Sequence, residues 1–369
     1  MKKAWHYIWR ILVGLIVILV AIVIGYVGYM QAHYYRIKDN KVLAVHNNQN
    51  SELVRNKSYS AMTYNVGFGA YDPKYSFFMD TGEMKDGTKT QGKYGTAKSK
   101  NVVLKDTNGA IQTVKKENPD FMLFQEIDTN STRSFHVNQV QRAENSLNDY
   151  GNVFANNFHS TFLFYPFNNP HGAVQSGLLT LSKYNIQSAI RRKYYITSKF
   201  ITKFTDLDRC FAVLTIPVKG GHKLILINSH MSAYDKGGTS RKKQLKLLSS
   251  VMRSEYEKGN YVICGGDFNH ALGRKYLHYF KSAQKVPSWV AVLTQKQLNN
   301  SKMKIVTANN ASKVPTCRGT DIPYKKNYTY TTVVDGFLVS PNVKASAKNI
   351  NTNFAYADHN PVKLTFSLK

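Results

Sequence analysis

The stretch ILVGLIVILVAIVIGYVGYM, Ile11 to Met30, runs for twenty residues without a charge. At about 1.5 Å of rise per residue, a helix of that length measures about 30 Å, the thickness of a bilayer's hydrocarbon core. Trp5, Tyr7 and Trp9 stand at one edge, and Tyr26, Tyr29, Tyr34 and Tyr35 at the other, as interfacial aromatics do. A cleaved signal peptide would usually have a shorter apolar region, and no small-residue A-x-A cleavage site follows. The segment therefore reads as a transmembrane helix over 11–30 behind a short tail, 1–10. Lys2, Lys3 and Arg10 before it are balanced by Arg36, Lys38 and Lys41 after it. Because the tail is short and long domains translocate largely regardless of charge, the C-terminal domain is expected outside the cytoplasm. The expected location is the cell membrane, single-pass, with an extracellular domain.

Residues 31–57 are polar, include HNNQNSE, and read as a stalk. From Ser58 to Lys369 strand-like apolar runs alternate with helical and loop segments, with no internal repeat and no second linker, so 58–369 reads as one domain. A hydrophobic fraction of 43% excludes wholesale disorder. The formal net charge of +28 suits an anionic partner: nucleic acid, anionic lipid or a wall polymer. No protein partner is implied. Cys210, Cys264 and Cys317 form no C-x-x-C pair, so neither a zinc site nor a disulfide framework is indicated.

Several apolar strands end in a residue able to bind a metal or a phosphate. YSAMTYN ends at Asn65, FMLFQE at Glu126, KLILINSH at His230, and YVICGGDFN at Asp267 and Asn269. TTVVDGFLVS carries Asp335, and YADHNPV carries Asp358 and His359. Strand ends on one edge of a sheet sandwich converge in space, and loops there can hold a constellation without loss of core. Each member alone has a plainer reading: an Asx turn at Asp267, a surface carboxylate at Glu126, a hydrogen-bonded rim histidine at His230. Asp335 lies inside an apolar strand, where a buried carboxylate needs a partner. The ordered set is more specific than any member.

That ordered set resembles the endonuclease/exonuclease/phosphatase superfamily, which includes pancreatic-type deoxyribonucleases, abasic-site endonucleases, inositol polyphosphate 5-phosphatases and bacterial sphingomyelinases. TYNVG, LFQEID, SGLLTLSKYNI, NSHMSAYD, GGDFNH, VVDGFLVS and ADHNPV carry the resemblance, over about Ser58 to Lys369. Ala357 stands where the family has Ser, and Gly336 stands where an aromatic is common, which would leave room in the site. The resemblance implies an α/β fold: a four-layer sandwich of two mostly antiparallel β-sheets flanked by helices, here with an N-terminal transmembrane helix. It implies divalent-metal-dependent hydrolysis of phosphate esters, with Mg²⁺ as the cofactor and Mn²⁺ or Ca²⁺ as alternatives. Glu126 and Asp358, with Asn65 beside them, are then the metal ligands. Asp267 and Asn269 align the attacking water and the phosphoryl oxygens. Asp335 holds His359 as a charged imidazole, and His230 protonates the leaving oxygen or binds phosphate. Either Asp267 or His359 could take the proton from water.

The substrate stays open among nucleic acid, a phospholipid headgroup and a small phosphate ester. Arg133 and His136, in the loop after Glu126, and His171 are candidate substrate-binding residues. The alternative from another class is a non-catalytic basic surface protein that binds wall polymers or lipids.

Overall fold

The computed structural model describes residues 2–197, 200, 202–233 and 238–369. Tyr234 and Asp235, which close the NSHMSAYD motif, lie outside the described residues. The strands that build the two sheets are β1 (Lys41–Val42), β2 (Ser58–Asn65), β3 (Phe121–Asp128), β4 (Gly151–Leu163), β5 (Gly172–Ser182), β6 (Ser188–Lys193), β7 (Cys210–Pro217), β8 (Lys223–His230), β9 (Tyr261–Asp267), β10 (Lys304–Val306), β11 (Asp335–Val339), β12 (Val343–Asn349) and β13 (Val362–Leu368). The longer helices are α1 (Lys2–Ala32), α2 (Lys100–Glu117), α3 (Gln139–Ser146) and α4 (Thr239–Glu257). One sheet runs β12-β13-β2-β3-β5-β4, the other β1-β6-β7-β8-β9-β11-β10.

Each sheet is antiparallel except for one central parallel pair, β2 with β3 and β8 with β9. Parallel neighbours need a crossover, and α2 and α4 supply them. Alternation along β2 shows how the layers form. Tyr59 and Ala61 enter the core between the sheets, while Met62 and Tyr64 face Ala110, Ile111 and Val114 of α2. Leu245, Leu248 and Met252 of α4 join the core against the other sheet. The result is a helix–sheet–sheet–helix sandwich, as the strand pattern predicts.

The expected stalk is corrected by the structure. Lys41 and Val42 pair with Ile190 and Arg191 at the sheet edge, His46 bridges to Asn152, and Leu53 bridges to Val218. Leu43 and Leu53 are buried in the main core. Sparse apolar residues in a polar segment were enough to fasten it, because an open sheet edge offers its own hydrogen bonds. Among the described residues one helix, Lys3–Ala32, is long and apolar enough to cross a membrane, with a mean hydropathy of 3.0 and none of that window buried. A signal sequence passes the same test of length and composition.

Candidate active site

The two parallel pairs point their C-terminal ends to one edge of the sandwich, and β11 and β13, which run antiparallel to them, begin there. Strand alternation then decides what faces inward. On β8, Asn228 reaches across the gap to the carbonyls of Phe124 and Leu179, so His230, two residues on, faces the same way. On β9, Gly265 and Asp267 share the inner face. A Cβ on Gly265 would lie 2.4 Å from the Phe337 ring and 2.7 Å from Leu123, and one on Gly266 would lie 1.9 Å from the Ser229 carbonyl oxygen. The glycine pair is thus needed for the sheets and strands to close at this edge.

Glu126 breaks the alternation. The register between β3 and β5 slips between Phe124 and Ile127, and Glu126 adopts a left-handed φ of 51°. This bulge adds one residue to β3, so Glu126 swings to the site instead of under α2. A left-handed backbone costs a non-glycine residue about 1–3 kcal/mol, and such strain collects at functional positions.

The side chains meet across the two sheets. The Asn65 amide donates to Glu126 Oε1 at 3.2 Å and to Asp267 Oδ2 at 3.0 Å, while its oxygen accepts from the Gly67 N–H at 3.0 Å. Asn65 therefore presents nitrogen to the two carboxylates and orients them. Asp267 Oδ1 accepts from the Asn269 N–H at 2.8 Å, and Asn269 in turn is tied to the Met231 carbonyl. His359 Nδ1 donates to Asp335 Oδ2 at 2.8 Å, and its Nε2 lies 3.8 Å from Asp267 and 3.9 Å from Asp358. His230 Nε2 is 3.5 Å from Asp267 and 3.7 Å from Glu126. Ligand atoms of Asp267, Asp335 and His359 come within 4.8 Å of one another, a grouping able to hold a metal ion. Beside it stand Glu126 and the half-buried Asp358, whose shielded Oδ1 has no protein partner.

The environment sorts the charges. Burial would drive His359 down, but Asp335, with Cys317, Asp358 and Asp267, holds it well above the usual histidine range. Burial raises Asp335, and the imidazolium keeps it ionised. Burial, then the charges of Arg209, His359 and Arg133, pushes His230 well below its ordinary value, so it is neutral. Asp358 rises to about 7, through burial first and Glu126 as its nearest like charge. A carboxylate with a shielded oxygen whose lone pairs accept no hydrogen bond, beside a second acid, is what a cation would relieve.

Glu126, His230, Asp267, Asn269, Asp358 and His359 line a cavity of about 570 Å³. Arg133 and His171 line it. Arg133 is held by a bidentate pair with Asp128 at 2.9 and 3.1 Å, and its guanidinium lies 3.9 Å from the Phe68 ring centroid. His171, lowered to about 4 by burial, sits against the Phe77 and Phe78 rings. His136 is corrected: it bonds Asn130 at 2.6 Å on the exposed side and lies outside the cavity wall. Arg209 and Arg318 also line the cavity and had no motif to mark them. Gly336 does not open the site. A Cβ there would meet Leu272 at 2.6 Å, on the opposite face of β11 from Asp335.

The model of the endonuclease/exonuclease/phosphatase family matches residues 62–359. A search of curated proteins found no match. Among solved structures, an endonuclease/exonuclease/phosphatase from Beutenbergia cavernae is similar at 13% identity, covering 85% of this chain and 72% of its own, with a TM-score of 0.54. TDP2 from C. elegans is similar at 14% identity, over 85% of this chain and 76% of its own, with a TM-score of 0.53. D. rerio TDP2 complexed with a single-strand DNA product matches at 14% identity, over 85% of this chain and all of its own, with a TM-score of 0.50. At these identities the structures support the fold, and the family match supplies the rest. The chain belongs to the endonuclease/exonuclease/phosphatase family and is an enzyme of that metal-dependent phosphoesterase kind.

Proposed function

We propose that this chain is a Mg²⁺-dependent hydrolase of phosphate esters, held in the membrane by α1, with its catalytic domain on the outer side. The observation that carries the chemistry is the buried pair of Asp335 and His359 beside the acids Glu126, Asp267 and Asp358. Glu126 and Asp358 would hold the ion: both offer hard oxygens, Asp358 Oδ1 is buried and unpartnered, and His359 is committed to Asp335 as a cation. Bound there, a divalent ion supplies charge neutralisation at the phosphoryl oxygens. Asp267, Asp335 and His359 are the competing ligand set.

The protein's own groups divide the remaining work. A protonated His359 cannot accept a proton, which leaves Asp267 to take one from the attacking water. Two hydrogen bonds, from Asn65 and from the Asn269 N–H, aim its oxygens. The His359 imidazolium faces the phosphoryl group as a donor, and electrostatic contacts of this kind carry much of such catalysis. Asn157 lies 3.5 Å from His230 Nδ1, so a neutral His230 carries its proton on Nε2 and points it at the site. It acts as a hydrogen-bond donor to phosphate and not as an acid.

Retention of α1 is supported by its contacts. Met30 is buried against the domain, and Arg36 donates to the carbonyls of Lys203 and Asp206 at 2.8 and 3.0 Å. A second reading keeps nucleic acid as the substrate, favoured by the +28 charge and by the DNA product bound to one structural relative. The metal assignment is tested with Glu126→Gln and Glu126→Ala. Each should raise the Mg²⁺ concentration for half-maximal rate by roughly tenfold or abolish turnover, the scale of one lost charged ligand contact. An unchanged metal requirement in both variants would take Glu126 out of the metal site.

A further inference from the structure

The domain-facing end of α1 forms part of the wall of the active-site cavity. Three contacts fix how it lies. Tyr35 stacks on His159 with ring centroids 3.9 Å apart, and Met30 sulfur meets the Thr161 hydroxyl. Tyr26 donates to the Phe162 carbonyl at 3.0 Å and packs edge-on to Phe164 at 5.2 Å. Moving back along the chain from Tyr35 to Tyr26, the partner on the β4 side advances from His159 to Phe164. The two segments therefore run side by side in opposite directions, and the tip of the β4–β5 hairpin reaches furthest along the apolar helix.

Tyr26 lies four residues inside the apolar run from Met30, about 6 Å at 1.5 Å per residue. The hairpin tip, with Phe164, Tyr165 and Phe167, thus sits at the depth where the bilayer boundary would lie. Phe167 is 84% exposed, with no protein surface to account for it. The cavity that holds Glu126, Asp267 and His359 is also lined by Tyr26, Leu163, Phe164 and Tyr165. Nucleic acid would call for phosphate-binding cations along the mouth. The lining that α1 and the hairpin contribute is aromatic and apolar and carries no cation, and the arginines of the cavity, Arg133, Arg209 and Arg318, come from other segments.

We propose that the cavity opens onto the bilayer surface and that the phosphate ester it hydrolyses belongs to a membrane lipid, whose apolar chains stay in the bilayer while its phosphate enters the site. The proposal rests on the phosphoesterase reading above. In the reaction a water oxygen bonds to phosphorus, the phosphorus–ester oxygen bond breaks, the ester oxygen leaves with a proton, and the other water proton passes to buffer.

The test uses the full chain reconstituted with Mg²⁺ in vesicles of phosphatidylcholine, phosphatidylglycerol, sphingomyelin and phosphatidic acid. Parallel arms offer glycerophosphocholine, bis(4-nitrophenyl) phosphate and a single-stranded oligodeoxynucleotide. Vesicle lipid should be turned over at least roughly tenfold faster than the soluble glycerophosphodiester, because remote binding energy is lost with the chains. Phe167→Ser, which lies outside the cavity, should cut lipid turnover by roughly fivefold or more and leave the aryl diester unchanged. The three native cysteines are buried, so Phe167→Cys can be labelled selectively with an environment-sensitive dye, whose emission should shift to the blue in vesicles. Hydrolysis of the oligonucleotide or of glycerophosphocholine at or above the lipid rate overturns the lipid assignment and leaves the hydrolase reading intact. An unshifted label places the hairpin in water and overturns the proposal on its own. Hydrolysis in no arm overturns the hydrolase reading and this proposal together.

Discussion

Replacing Asp335 with Asn removes one charge from the most enclosed ion pair of the site and leaves a side chain of nearly the same shape. His359 is buried, so burial acts against its charged form, and Asp335 at 2.8 Å is the largest opposing influence. At an effective dielectric near 20, unit charges that close attract by roughly 6 kcal/mol. Each 1.36 kcal/mol corresponds to about a tenfold change in protonation equilibrium, so the loss removes the largest single influence that holds His359 charged, while Asp267 and Asp358 remain at 3.8 and 3.9 Å. His359 should therefore titrate lower than in the parent. The rate on bis(4-nitrophenyl) phosphate should fall by about 10²–10³, the scale for losing a preorganised electrostatic contact. Stability should fall by about 3 kcal/mol, the lower end for breaking a buried pair, because the amide oxygen still accepts from Nδ1–H. Steady-state kinetics with ¹⁵N-histidine NMR measures both effects. A variant whose His359 titrates as high as the parent's, or whose kcat stays within about threefold of the parent, would refute the pairing argument.

Asp106, on α2, is fully buried with neither carboxylate oxygen partnered, and burial raises it to about 8. A raised acid stabilises the fold fully below its unfolded value near 4 and loses that contribution as pH climbs toward 8, so Asp106→Asn should gain about 2–4 kcal/mol at pH 8 and little at pH 4. Urea unfolding at both pH values checks the difference, and an equal effect at the two would contradict it. Gly266→Ala should cost about 1–3 kcal/mol or more by thermal melting, because its Cβ would lie 1.9 Å from the Ser229 carbonyl oxygen. Leu53→Ala should cost about 2–5 kcal/mol, since Leu53 is wholly enclosed; an unchanged melt would restore the picture of a free stalk.

Much of the site was legible because its residues terminate strands whose apolar alternation is strong. Asn65, His230, Asp267 and Asp335 lie where the period puts them, and the GG before Asp267 marks a close approach that a Cβ would block. What escaped has physical reasons. The left-handed turn at Glu126 carries no glycine signal, so its bulge could not be read. Arg209 and Arg318 reach the cavity through tertiary packing alone. His136 stood near Glu126 in sequence, but the left-handed residues Phe135 and His136 turn the loop outward. Helix α2 begins at Lys100, where Ser99 caps it, but Asp106, Thr107, Asn108 and Gly109 in its middle are weak helix formers that packing overrides, so its first half carries no clear helical signal. The stalk reading failed because its polar composition hid two buried leucines.

The claim that matters most is that turnover depends on a divalent ion at the acid cluster. The direct measurement is the rate of phosphate-ester hydrolysis by the purified full chain in Mg²⁺, then in excess chelator, then with Mg²⁺ restored. The structure predicts loss of at least roughly 10²-fold in chelator and recovery on re-addition, since a metal ion supplies several kcal/mol to such a transition state. Full activity in excess chelator would contradict it.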